Sequence, residues 1–124
     1  MTRPIIVAVD FDGTIVEHNF PKIGKAMPRA IEVLQKLKKA GAYLILWTCR
    51  TGKEEKEAIL WLKSKGVEID GCNEHSEWAK EEFKEFVERD GLGSKIFADV
   101  YIDDRNLGGF PGWDVIEEYF FRGK

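Results

Sequence analysis

The sequence predicts one α/β domain with a parallel central sheet, on three observations. Apolar runs at residues 5–9, 43–47 and 96–102 are separated by stretches whose apolar residues recur at helical spacing. The first run, Ile5-Ile6-Val7-Ala8-Val9, is apolar at every position, as in strands covered on both faces of a parallel sheet. Glycines stand where helices must stop, at Gly41, Gly66 and Gly91. Strands alternating with helices of about 10–15 residues indicate βαβ units. At 124 residues the chain reads as a single domain over 1–124. A domain of this size buries roughly two-thirds of its unfolded surface.

Each element has its own justification. The first strand ends in Asp10-Phe11-Asp12-Gly13-Thr14. Residues 13–26 have no clean period and hold Pro21 and Gly24, so they form a loop or small hairpin, a flap over the strand end. Pro28 suits the first turn of a helix whose inner face is Ala30, Ile31, Leu34 and Leu37. The second apolar run stops at Thr48-Cys49-Arg50-Thr51-Gly52, and a helix follows over 53–65 with Ala58, Ile59 and Leu62 inward. Residues 67–69 read as a short third strand closed by an Asp70-Gly71 turn. Ser76 is the N-cap expected of a helix reaching about residue 89, with Ala79, Phe83, Phe86 and Val87 inward. Residues 96–102 form the last strand, ending on Asp103-Asp104, and Trp113, Ile116, Tyr119 and Phe120 mark a final helix. Trp61 and Trp78 read as packing residues.

Composition excludes several classes. Hydrophobic residues at 44% with 33% charged residues describe a globular chain rather than a disordered one. A net charge of −3 gives no overall pull toward nucleic acid or anionic membranes. No apolar run is long enough to span a bilayer and no signal peptide is read, so a reduced cytoplasmic setting is expected, with Cys49 and Cys72 acting as small apolar residues.

Chemistry is expected at the strand ends. Asp10 and Asp12, two residues apart, lean to one side of an extended chain. Such a pair fits a strand ending in an Asp-Gly turn, or carboxylates gathered on a hard cation; the pattern alone leaves both open. Parallel strands all end on one edge, where open α/β sheets place their ligands. That edge would collect Asp10, Asp12, Thr48, Arg50, Lys95, Asp103 and Asp104. Carboxylates with a hydroxyl and cations, and no histidine or cysteine cluster, favour Mg²⁺ over zinc and suit phosphoryl transfer. The turn after Thr48 offers free N–H groups to an anion, or Thr51 and Gly52 simply cap the next helix. His18, in the loop, reads as an exposed histidine without a role.

These motifs resemble the haloacid dehalogenase (HAD) superfamily of phosphotransferases, in that family's order across nearly the whole chain. Asp10-Phe11-Asp12-Gly13-Thr14 is similar to its first motif, Leu46-Trp47-Thr48 to its second, and Tyr101-Ile102-Asp103-Asp104 to its fourth. The resemblance implies a three-layer Rossmann-like domain and a Mg²⁺-dependent phosphomonoester hydrolase. It makes Asp10 the nucleophile and Asp12 the general acid/base, with neighbouring carboxylates helping to keep Asp12 protonated. Asp10, the main-chain carbonyl of Asp12, and Asp103 would hold the metal. Thr48, Cys49 and Arg50 would meet the phosphate, Arg50 as the arginine of a Ser/Thr-x-Arg pattern. Lys95, shortly before the last strand, is the expected motif lysine, as in nucleotidase-like and polynucleotide-phosphatase-like members that also end that strand in Asp-Asp-Arg, here Asp103-Asp104-Arg105. Lys80 and Lys84 are competitors, and Asp104 would orient that lysine or a bound water. The stretches from Asp12 to Thr48 and from Gly52 to Lys95 are filled by the fold's own elements, so no cap domain is expected. An open site implies a large substrate or a lid from a second copy in a homo-oligomer. The substrate implied is a phosphate ester, a small molecule or a nucleotide, with a polynucleotide left open. The alternative is a catalytically weak binding or regulatory module on the same fold.

Overall fold

Four parallel strands form one sheet in the order β3-β2-β1-β4 in the computed structural model, which describes residues 3–122. The chain runs β1 (Ile6–Val9), α1 (Ala30–Lys39), β2 (Tyr43–Leu46), α2 (Gly52–Ser64), β3 (Gly71–Cys72), α3 (Glu77–Glu82), α4 (Lys84–Asp90), β4 (Val100–Ile102) and α5 (Trp113–Phe121). This is a three-layer α/β Rossmann-like fold. Strand order reverses beside β1: β2 and β3 build outward on one side, and β4 returns to the other. Crevices at such reversals are where α/β sheets bind ligands.

All four β1 residues are buried, which is why the run is apolar throughout. Val7 and Val9 share one core with Leu44 and Leu46 of β2 and with residues of α1, α2 and α5, including Leu34, Leu62 and Trp113. Ile6 and Ala8 face a second, smaller cluster with Ile45, Ile96 and Ala98, edged by Trp78 and Phe97. The two faces are unequal, three helices against a short helix and an irregular segment. Both tryptophans read as packing residues do pack. Trp61 meets Phe11 edge to face at 5.8 Å, and Trp78 lies 5.3 Å from Phe97.

Four element boundaries differ from expectation, each for a local reason. Residues 67–69 are not a strand. The Asp70 carboxylate accepts the Leu44 N–H at 2.8 Å, and its own N–H donates to Leu44 O, so the ladder with β2 begins only at Gly71. The last strand is shortened in the same way. The Asp99 carboxylate accepts the Ile6 N–H at 2.8 Å, and regular pairing with β1 starts at Val100. Ser76 caps as expected, its hydroxyl accepting from Ala79 N at 3.1 Å, but the helix breaks at Phe83 into α3 and α4. Phe83 turns toward Trp78 and Phe97, with ring centroids at 6.2 and 5.9 Å, while Phe86 and Val87 are left exposed rather than inward. Finally, α1 starts beyond Pro28, after Arg29 in a left-handed conformation that aims its guanidinium at Glu117 of α5, 2.7 Å away.

Candidate active site

Where β1, β2 and β4 end, a crevice of about 600 Å³ opens. Asp10 and Asp12 enter it from β1, Trp47, Thr48, Cys49 and Arg50 from β2, Asp103 and Arg105 from β4, and His18 and Phe20 from the flap. The flap is pinned as a narrow loop by Glu17 N–H on Lys25 O and Met27 N–H on Ile15 O, both 2.8 Å. Gly13 starts it with φ +87°, and a Cβ there would collide with the His18 imidazole and the Asp104 carboxylate. The positive φ favours glycine at this turn whatever the neighbouring side chains do.

Asp10, Asp103 and Asp104 each offer a carboxylate oxygen to one point, all within 4.8 Å of one another. Burial pushes Asp10 up from its ordinary value to about 7, and the charge on Asp103 adds to that push. A hydrogen bond from Thr14 Oγ1 at 3.0 Å opposes it. Burial also works to raise Asp104, yet hydrogen bonds with His18, Asp10 and Asp103 hold it below the usual range. The crowding thus weighs most on Asp10. Crowded, hard oxygen donors whose repulsion must be relieved by a proton are a suitable set for a divalent cation such as Mg²⁺. Asp10, Asp103 and Asp104 would hold it. Asp104 stands among these donors and bonds to His18 at 2.9 Å; among the described residues no lysine bonds to it.

Asp12 has different company. Its two oxygens accept from Arg50 Nε at 2.7 Å and Nη2 at 2.8 Å, the fork-to-fork pair of a carboxylate with a guanidinium. The crowding expected around Asp12 falls on Asp10 instead, which shares its surroundings with Asp103 and Asp104 while Asp12 meets Arg50. Arg50 is 1% exposed. It also donates to the carbonyls of Pro21, Lys22 and Glu54. With all five of its N–H donors engaged it has none left for a phosphate, so the substrate-binding role expected of it does not fit.

Thr48 is well placed. Asn73 accepts its N–H at 2.9 Å and donates to its carbonyl at 2.8 Å, fixing the peptide. Thr48 Oγ1 accepts from Arg50 N, which leaves the hydroxyl proton free to donate into the crevice. Cys49 is exposed at the rim instead of packed. Lys95 lies elsewhere, in a groove with Phe83, Phe86 and Phe97, its Nζ 5.1 Å from the Tyr101 ring centroid. Lys80 pairs with Glu77 on α3, and Lys84 is exposed on α4. Among the described residues no lysine lines the crevice. Its cation without an ion pair among those residues is Arg105, expected as the last residue of the Asp-Asp-Arg run but given no role in the site. His18 was likewise dismissed, and only its contact with Asp104 reveals it.

A solved structure of a conserved protein from Bacteroides thetaiotaomicron matches with a TM-score of 0.82 and 40% sequence identity, covering 98% of this chain and 93% of that one. The chain belongs to the family of that conserved protein. No family model matches the sequence. No curated protein matches it either. No helix among the described residues is long and apolar enough to cross a membrane.

Proposed function

We propose that the chain is a Mg²⁺-dependent phosphomonoester hydrolase of the haloacid dehalogenase type. The observation that supports it best is the gathering of Asp10, Asp103 and Asp104 within 4.8 Å at the strand-order reversal, with Asp12 and Thr48 lining the same crevice. A divalent cation bound by these carboxylates supplies charge neutralisation, which lets an anionic nucleophile approach a phosphate dianion. Asp10 then attacks phosphorus: an Asp10 O–P bond forms and the ester P–O bond breaks. Thr48 holds a phosphoryl oxygen through its hydroxyl proton, and Arg105 offers the positive charge assigned to a lysine elsewhere in the superfamily. Asp12 gives a proton to the leaving oxygen, then takes one from the water that displaces phosphate from Asp10. The substrate class is a phosphate monoester, a small molecule or a nucleotide.

A second reading, a catalytically weak binding or regulatory module, is favoured by the Arg50 fork on both Asp12 oxygens and by a crevice that no lysine lines among the described residues. Phosphate release from p-nitrophenyl phosphate with and without Mg²⁺ separates the two. Repeated turnover that stops on chelation supports the hydrolase; stoichiometric binding of phosphate without turnover would put the binding module in its place.

A further inference from the structure

We infer that Arg50 is a positioning residue that ties the flap to Asp12, so that the state of the flap sets the freedom of that carboxylate; its catalytic arm rests on the hydrolase reading above. Of the groups assigned a part in the reaction, the guanidinium touches Asp12 alone. It sits 1% exposed between two aromatic rings, its Cζ 5.1 Å from the centroids of both Phe11 and Phe20. One edge grips Asp12 by two hydrogen bonds, at 2.7 and 2.8 Å. The other donors hold flap carbonyls, Lys22 O at 2.8 Å and Pro21 O at 3.2 Å, and reach Glu54 O in the first turn of α2 at 3.5 Å. The end of β1, the flap that follows it and the start of α2 therefore meet on one rigid, planar group.

This arrangement has a consequence for movement. Phe20 is 61% exposed on the crevice rim although its ring covers the guanidinium. If the flap swings away, Arg50 loses the ring and two acceptors together. It must then leave donors unpaired or turn from Asp12, and both carry a cost in a buried setting. Coupling of this kind is reciprocal, so a change at Asp12 is felt in the flap as well. Lysine cannot replace Arg50, because a single ammonium cannot fork across two carboxylate oxygens and also reach both flap carbonyls.

The test compares the full-length wild type with Arg50→Lys and Asp12→Asn. Turnover is measured on two esters of similar shape, p-nitrophenyl phosphate with a good leaving group and benzyl phosphate with a poor one. A group acting through the proton donor matters most for the poor leaving group. Arg50→Lys should lower kcat for benzyl phosphate about 100-fold and for p-nitrophenyl phosphate less than about 5-fold, with KM nearly unchanged. Equal losses on both esters, or a rise in KM alone, would overturn the positioning role. Hydrogen exchange gives a second readout that needs no turnover. The Glu17 and Met27 amides should lose at least about ten-fold in protection in both variants, while β1 and β2 amides keep theirs. Unchanged flap protection, or an equal loss across the sheet, would overturn the tie. Should the wild type hydrolyse neither ester, the hydrolase reading fails while the exchange arm still decides whether Arg50 couples flap and carboxylate.

Discussion

Asp10 and Asp12 leave the same strand end two residues apart and meet opposite surroundings. Asp10 looks into other carboxylates and is pushed up to about 7. Asp12 meets a buried guanidinium that grips both its oxygens. The residue types are identical and the difference is entirely positional: β4 delivers Asp103 and Asp104 beside the first carboxylate, and β2 delivers Arg50 beside the second. An acid with anionic neighbours waits for a cation or a proton, whereas one with a fixed cationic partner is held in place. Two chemical roles thus arise from one short motif, with the neighbouring strands assigning them.

Removing Asp10 should break the comparison most sharply. Under the proposed mechanism Asp10→Asn lowers turnover on p-nitrophenyl phosphate by about 1,000-fold or more, since no carboxylate remains to attack phosphorus. Retained activity would dismiss Asp10 as the nucleophile. Next comes Asp12→Asn, for which about 100- to 10,000-fold is expected on a poor leaving group. Mg²⁺ affinity, read by calorimetry, should hardly move, because the Asp12 side chain lies outside the carboxylate cluster.

The contrast also carries a pH signature. Asp10 titrates near 7 in the folded chain and near its ordinary 3.8 when unfolded. Between those values the folded state keeps a proton that the unfolded state has released, so rising pH removes stability across that window. Without metal, Asp10→Asn should therefore melt close to wild type at pH 4 and above it at pH 8, by at least about 3 °C. Added Mg²⁺ should raise the pH 8 melting temperature of the wild type more than that of the variant. A constant difference across pH would place the repulsion elsewhere. The smallest effect belongs to Thr14, whose buried hydroxyl donates to Asp10 at 3.0 Å. Thr14→Val should cost about 1 kcal/mol in denaturant unfolding and push the Asp10 titration, followed by NMR, higher still.

Much of the fold was legible because its signals are local. The unbroken apolar run at β1 gave a strand buried on both faces. Gly41 and Gly66 end their helices with φ +96° and +79°, as their positions foretold. Failures came where a side chain took over a backbone partner. Asp70 and Asp99 each accept a strand N–H and displace the start of β3 and β4. Nothing in local propensity marks an aspartate that will do this. Phe86 was misplaced for a related reason, since a helical period run through the Phe83 break assigns the wrong face to everything after it.

The candidate site divides along the same line. Asp10, Asp12, Thr48 and Asp103 could be named from the sequence because strand ends in a parallel sheet share one edge, and spacing tells which residues stand there. Which of them touch was decided by tertiary structure alone. The reversal of strand order sets β4 beside β1 and crowds Asp10, while the segment after β2 brings Arg50 to Asp12. Lys95 fell outside the crevice, and Arg105 and His18 fell inside it, because each stands on irregular backbone whose course no period foretells. Sequence periodicity determines which edge of the sheet a residue reaches. The charge it meets there depends on neighbours distant in sequence, and only the folded chain supplies them.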